Sequence, residues 1–128
     1  MNRELIARAV GARDYAVVPY SGFKVGAALE AKDGQIYTGC NIESASYGLT
    51  VCAERLALWK ALSAGAREFR QIAVVTNAPT ITFPCGACRQ LLWEYCEDIA
   101  VHLHSMAGLD EEYRLTELFP HPFDSRSL

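Results

Sequence analysis

Two short segments of the chain carry side chains that can bind a metal or move a proton. In PCGACRQ, Cys85 and Cys88 stand three positions apart, and in VCAE, Cys52 stands two positions before Glu54. Both segments lie where a helix is predicted to begin, and the free N–H groups of a helix start stabilise a thiolate. The chemistry to consider is therefore that of cysteine sulfur.

The cysteine pair of PCGACRQ, taken alone, fits three interpretations: a redox dithiol, half of a zinc site, or two buried thiols. Cys52 favours zinc, because two helix starts can bring Cys52, Cys85 and Cys88 around one ion. Three protein ligands leave the fourth tetrahedral position open, which is typical of a catalytic zinc that carries water. The sequence therefore predicts one catalytic Zn²⁺ per chain.

Charged side chains flank the predicted zinc ligands. Glu54 follows Cys52 closely enough to serve as a proton carrier, the alternative being an ordinary acid in the first turn of a helix. Three thiolates and Zn²⁺ sum to one negative charge, which guanidinium donors next to the sulfurs can offset. Arg55 and Arg89 are the candidates, and an exposed helix arginine is an equally good interpretation of Arg89.

Hydrophobic periodicity predicts the elements that must position these residues. In chain order they are a helix at 2–16, strands at 24–31 and 35–40 joined by an Asp33-Gly34 turn, a helix at 51–65, a strand at 70–76, a helix at 85–96, a strand at 99–105, and a last strand or turn followed by one helical turn. This order predicts a three-layer α/β fold whose mixed sheet begins with an antiparallel pair. Pro84 is predicted at the first position of the helix at 85–96. Thr50 is predicted as the N-cap of the helix at 51–65.

Composition limits the classes of protein that fit. The chain has 128 residues, 51% of them hydrophobic, which suits one domain over 1–128 with a single core. A net charge of −3 argues against a nucleic-acid partner, and no apolar run suits a membrane or a signal peptide. Five cysteines without an export signal argue against a disulfide framework, so we expect a cytoplasmic protein with a small-molecule substrate.

The combined motifs resemble those of a known family. C-A-E followed by P-C-x-x-C is similar to the zinc signature of the cytidine deaminase superfamily. PYSGFKVGAAL, TGCNIESASYG, CAER and PCGACRQ stand in the order and spacing of its small free-nucleoside type, and ELFPHPF is similar to that type's C-terminal segment. The resemblance implies a cytidine-deaminase-like α/β/α fold with a five-stranded mixed sheet, zinc on Cys52, Cys85 and Cys88, and Glu54 as general acid/base.

The resemblance also implies contacts with the substrate. Phe23 would pack on the base, Asn41 and Glu43 would bind the ribose hydroxyls, and the backbone N–H of Ala53 would donate to the base O2. Small deaminases of this kind are homotetramers in which a C-terminal phenylalanine, here Phe123, reaches a neighbouring site. Turn chemistry is the alternative for Asn41 and Glu43, and a tail anchor is the alternative for Phe123.

Two positions depart from the family pattern: Ser44 replaces the usual Asn, and Phe83 replaces the usual Ser before the proline.

The expected activity is hydrolytic deamination of cytidine and deoxycytidine to uridine and deoxyuridine, in pyrimidine salvage. The alternatives are a deaminase of an antibiotic nucleoside such as blasticidin S and, from another class, a thiol oxidoreductase that uses CGAC. We expect no metal role for His102, His104 and His121.

Overall fold

The computed structural model describes residues 2–128, and within that range no helix is long and apolar enough to cross a membrane. A mixed sheet in the order β2-β1-β3-β4-β5 forms the centre. Its strands are β1 (Gly26–Ala31), β2 (Ile36–Cys40), β3 (Phe69–Thr76), β4 (Ala100–Ser105) and β5 (Leu109–Arg114). The helices are α1 (Asn2–Arg13), α2 (Ala53–Ser63), α3 (Gly86–Cys96) and α4 (Leu115–Leu118). The predicted five-stranded sheet is thus confirmed.

The pairing of the strands explains where the second cysteine segment lies. β1 and β2 form the predicted hairpin, in which Gly34 takes the positive φ of 92° that its turn requires. β3 and β4 are parallel, whereas β1–β3 and β4–β5 are antiparallel. Parallel neighbours need a crossover, and α3 provides it. PCGACRQ therefore lies past the carboxyl end of β3, the edge where α/β sheets bind ligands.

Each face of the sheet is covered by helices because the strand side chains alternate between the two faces. On one face, α1 contributes Leu5 and Ala9 to a cluster with Ala28, Ala73 and Val75. The opposite face carries the larger cluster, which α2 and α3 cover. It includes Leu29, Leu58, Ile72, Leu92, Val101 and Leu103. The predicted three-layer α/β/α arrangement is confirmed.

A glycine allows α2 to lie directly against the sheet. A Cβ atom at Gly39 would stand 2.3 Å from the carbonyl oxygen of Ala53 and 2.6 Å from the amide nitrogen of Ala57. No side chain fits in that space, so glycine is required for the first turn of α2 to rest on β2. This close approach positions the helix start that carries Cys52.

Three predicted boundaries are corrected. The first helix ends at Arg13 and not at residue 16. Cys85 is the N-cap of α3, in extended conformation with ψ 165°, so Pro84 precedes the cap and does not occupy the first helical position. Likewise Cys52 caps α2, since Thr50 ends a separate 3-10 turn and also has an extended backbone.

Candidate active site and metal centre

Three cysteine sulfurs converge between the starts of α2 and α3. The Sγ atoms of Cys52, Cys85 and Cys88 all lie within 4.8 Å of one another, and those of Cys52 and Cys85 are 3.9 Å apart. A tetrahedral zinc with Zn–S bonds of about 2.3 Å spaces its sulfur ligands by about 3.8 Å. All five cysteines are free thiols. The donor set and its spacing therefore fit zinc.

Helix geometry explains why the sulfurs meet. Cys52 and Cys85 are N-cap residues, and Cys88 is the third residue of α3. The N-cap and third positions of a helix turn their side chains toward each other, as in a capping box. Neither N-cap cysteine makes a side-chain capping hydrogen bond, so both sulfurs remain available to a metal.

Arg55 supplies positive charge next to the sulfurs. Its Nη2 donates to the Sγ of Cys52 at 3.7 Å, and its Nε is buried without a hydrogen-bond partner among the described residues. A hydrogen bond from Cys88, together with the donor of Arg55, holds the pKa of Cys52 below its usual value. The same hydrogen bond and burial raise the pKa of Cys88. Of these two thiols, Cys52 is thus the one that ionises first.

Glu54 is a buried carboxylic acid next to the cluster. Its side chain is only 6% exposed, and burial raises its pKa to about 7. A carboxyl group that titrates near neutrality can both accept and donate a proton, which is what general acid/base catalysis requires. Glu54 lines the same cavity as Cys52 and Cys85.

The cavity beside the sulfurs has a volume of about 200 Å³. It is lined by Val25, Asn41, Thr50, Val51, Cys52, Ala53, Glu54, Val74, Thr82, Phe83 and Cys85. Thr50 also lines a second groove of about 410 Å³, together with Tyr20, Ser21, Glu43, Ser44 and Tyr47. The two spaces adjoin at Thr50, so a ligand has a closed end at the sulfurs and a polar end at Glu43.

The predicted sugar-binding residues make hydrogen bonds to the loop before β1. The Oδ1 of Asn41 accepts from the Val25 amide at 2.9 Å, and its Nδ2 donates to the Phe23 carbonyl at 2.8 Å. Because an amide has a second hydrogen and a second lone pair, Asn41 keeps capacity for a ligand. Its position on the cavity wall makes that capacity accessible.

Glu43 makes equivalent contacts from the second groove. Its Oε1 accepts from the amides of Tyr20 and Ser21 at 3.0 and 3.1 Å, and its Oε2 accepts from the Ser21 hydroxyl. The hydrogen bond from the Ser21 hydroxyl contributes most to lowering the pKa of Glu43. The side chain is therefore a carboxylate at neutral pH. Asn41 and Glu43 therefore both stabilise the loop before β1, and the side-chain oxygens of each can still accept a hydrogen bond from a ligand.

Arg89 and Phe123 both lie outside the cavity beside the sulfurs. Arg89 does not hydrogen-bond a sulfur: its Nε donates to the Pro84 carbonyl at 2.8 Å and its Nη1 to the Leu118 carbonyl at 2.7 Å. It therefore ties the start of α3 to α4. Phe123 is 58% exposed and does not line the cavity of its own chain, while its carbonyl accepts from Gln90 at 2.7 Å.

Phe23 is 39% exposed and does not line the cavity. Sequence reasoning assigned no site role to six residues that do. They are Val25, Thr50, Val51, Val74, Thr82 and Phe83. The only signal was the departure at Phe83, since a valine in a strand is indistinguishable from ordinary core. Two of the three histidines lie on β4, where His102 contacts Gln71 and Glu112, and His104 contacts Asp110.

Comparison with known proteins agrees with this geometry. Residues 1–103 match the cytidine and deoxycytidylate deaminase zinc-binding region. A cytidine deaminase of Sporosarcina psychrophila is 48% identical over 126 residues, which cover 98% of this chain and 93% of that protein. A cytidine deaminase crystal structure from Burkholderia pseudomallei superposes with a TM-score of 0.93 at 46% identity and covers 96% of this chain and 99% of that one. A blasticidin-S deaminase of Bacillus cereus is 35% identical over 104 residues, or 75% of this chain and 74% of that protein.

Fold and site together define a zinc-dependent hydrolase, because three thiols that would hold a tetrahedral zinc would leave its fourth position to water, beside a buried acid. The chain belongs to the cytidine deaminase family, in its small free-nucleoside type with the Cys52, Cys85 and Cys88 triad. The predicted family, its zinc cofactor and its enzyme class are confirmed.

Proposed function

We propose that this protein deaminates cytidine and deoxycytidine hydrolytically, releasing ammonia and forming uridine and deoxyuridine in pyrimidine salvage. One observation carries the proposal: three thiols and a buried carboxylic acid share a small cavity that adjoins a polar groove. A pyrimidine base suits the closed end, and a sugar with hydroxyl groups suits the polar end.

The residues at the closed end have distinct tasks. Cys52, Cys85 and Cys88 would hold Zn²⁺, which when bound makes water a nucleophile at neutral pH. Glu54 would accept the two protons of the attacking water in turn, delivering one to N3 of the base and the other to the departing amine. Its burial favours both transfers because its pKa lies near neutrality.

The remaining walls orient the nucleoside. Ala53 is the first residue of α2, where backbone N–H groups have no partner within the helix, and it donates to the base O2. Asn41 and Glu43 bind the ribose hydroxyls with the capacity that the loop leaves unused. Phe23 packs on the base, a contact that its partial exposure permits.

Replacing Glu54 tests the chemistry. Glu54→Gln keeps the shape of the side chain but removes the transferable proton, so cytidine turnover should fall at least about a hundredfold with zinc content and fold unchanged. Ultraviolet absorbance follows the loss of the amine, and metal analysis gives the zinc content. Glu94→Gln, an exposed acid on α3, is the control and should retain full activity. Near-normal turnover of Glu54→Gln would refute the acid/base assignment.

A substrate panel tests the choice of nucleoside. The wild-type protein should deaminate cytidine and deoxycytidine well, and cytosine and blasticidin S poorly. The likeness to a blasticidin-S deaminase makes the antibiotic the alternative substrate, and preferential turnover of blasticidin S would establish it instead. Insulin reduction by metal-free protein would instead support the thiol oxidoreductase.

We also propose that residues 1–128 act as one domain within a cytoplasmic homotetramer. Large apolar side chains are exposed on the loops, among them Tyr15 at 80%, Tyr47 at 82% and Leu49 at 75%. A subunit contact would cover such side chains. Free thiols throughout suit a reducing compartment.

A further inference from the structure

Phe83 is the one large aromatic side chain of the described residues that lines the cavity beside the sulfurs. It stands two positions before Cys85 and is therefore at the zinc end of the cavity rather than at the sugar end. Its side chain is 42% exposed although Pro84, its neighbour, is buried. The ring is thus partly exposed and accessible from the cavity, while the residue next to it is buried.

A second aromatic ring holds Phe83 in place. The centroids of the Phe83 and Tyr113 rings are 5.5 Å apart with an interplanar angle of 55°. Such tilted pairs are a favourable arrangement of aromatic side chains. Tyr113 belongs to β5, and its hydroxyl donates to Glu111, so the supporting ring is itself fixed at both ends. Phe83 is therefore a firm wall and not a side chain that turns aside for a ligand.

The chemistry of the substrate identifies what this wall meets. C4 of the base must lie next to the ion held by the three sulfurs, and N3 must lie next to Glu54. The neighbour of C4 on the other side is C5, which carries only hydrogen in cytidine and needs an apolar wall. The cavity offers Val25, Val74 and Phe83 for that purpose, and Phe83 is the largest of them.

Resting on the proposed function, we infer that Phe83 is a specificity-determining residue that packs against the C5 edge of the base and excludes substituents there. A ring that pairs with Tyr113 and lies against the C5 edge occupies the space that an additional methyl group would need. The wild-type enzyme therefore prefers cytidine to 5-methylcytidine. Removing the ring opens the space that a C5 methyl group needs.

The test is the ratio of kcat/KM for 5-methylcytidine to kcat/KM for cytidine, measured by ammonia release. Phe83→Ser should raise this ratio by about tenfold or more, since one methyl group in an apolar pocket is typically worth that factor. Phe83→Leu, which keeps an apolar side chain, should give an intermediate ratio. It replaces Phe83→Ser as the test if the serine variant loses zinc or unfolds. A ring that only supports the fold would lower both kcat/KM values alike and leave the ratio unchanged.

Tyr95 provides a matched control. It is 46% exposed and pairs with Trp59 at 6.4 Å, yet it lies outside the cavity, so Tyr95→Ser should leave the ratio as in wild type. A ratio within twofold of wild type in both Phe83 variants, or an equal rise in Tyr95→Ser, overturns the inference. Wild-type protein without any cytidine turnover would overturn the proposed function itself, which is a separate result.

Discussion

At the scale of single residues, the metal centre depends on cysteines in positions that usually serve another purpose. An N-cap residue ordinarily accepts a hydrogen bond from its own helix, and Ser, Thr, Asp or Asn does this best. Cys52 and Cys85 occupy N-caps and make no such bond. The two helices thus give up a side-chain cap, and the sulfurs gain the freedom to share an ion.

Arg55 should strengthen zinc binding through Cys52. Its Nη2 contact at 3.7 Å holds the pKa of that thiol down, so Arg55→Gln should raise the pKa of Cys52 and let protons compete better with the metal. Zinc affinity should fall about 10- to 100-fold, as for other groups that contact metal ligands. The pH at which half the zinc is released to a chelator should move upward.

Arg8 on α1 is an exposed arginine, so Arg8→Gln controls for the loss of a positive charge. Zinc release that follows the same pH curve in wild type and in Arg55→Gln would mean that the guanidinium does not act on the thiolates.

At the scale of elements, the site is assembled from loops and helix starts that the sheet holds in place. α2 rests on β2 through Gly39, and α3 is tied at its start by Arg89 to the carbonyls of Pro84 and Leu118. Asn41, directly after β2, fixes the loop at Phe23 and Val25. Each element that supplies a ligand is therefore anchored by a contact to a different part of the chain.

Gly39→Ala should displace α2 and weaken the metal centre. The added methyl group would meet the Ala53 carbonyl at 2.3 Å, so the helix must move away from β2 at a cost of about 1–3 kcal/mol. Urea denaturation should show the lower free energy of unfolding, and metal analysis should show less bound zinc.

Gly11→Ala is the matched control because a Cβ at Gly11 meets nothing within 4 Å. That change lies inside α1, where alanine is the better helix former, so stability should stay equal or rise by up to about 1 kcal/mol. Equal stability and zinc content in Gly39→Ala would show that α2 does not depend on this close approach.

At the scale of the whole molecule, Phe123 is a side chain whose proposed contact is the active site of another subunit. Phe123 lies outside its own cavity, and the Gln90 bond to its carbonyl anchors the C-terminal segment to α3. An exposed aromatic ring on an anchored segment suits a contact made in an assembly.

Subunit complementation tests the proposed tetramer. Phe123→Ala should lower cytidine kcat/KM, and Glu54→Gln should abolish turnover. Co-expressed in one cell, the two chains should form mixed tetramers in which some sites combine the intact Glu54 of one chain with the intact Phe123 of another. The mixed tetramers are purified through a different tag on each chain. Their cytidine turnover should exceed the sum of the turnovers of the two variant homotetramers.

The control is Phe123→Ala co-expressed with the Glu54→Gln, Phe123→Ala double variant, in which no chain supplies Phe123. No gain should occur there. Equal activity in both mixtures, or a chain that stays monomeric by light scattering, would refute the shared site.

Local sequence patterns were sufficient to predict most of the helices and strands and the zinc ligands of this protein. Alternating and helical periodicities predicted the helices and the first four strands to within a few residues, because these depend on neighbours close in sequence. They left β5 open as a last strand or turn. The three ligands and Glu54 could be named in advance, since zinc chemistry and helix starts restrict which residues qualify. The family motifs then supplied the fold.

Contacts between distant segments needed the folded chain. Arg89 bonds a carbonyl 29 positions away, and Glu43 bonds amides 22 and 23 positions away, so their partners cannot be read from local spacing. The N-caps are Cys85 and Cys52 rather than the positions predicted from Pro84 and Thr50, because a helix begins where the backbone leaves its extended conformation. Phe83 packs on the ring of Tyr113, which β5 supplies from a later part of the chain. Patterns specify elements through local energies, whereas packing of those elements decides which side chains meet.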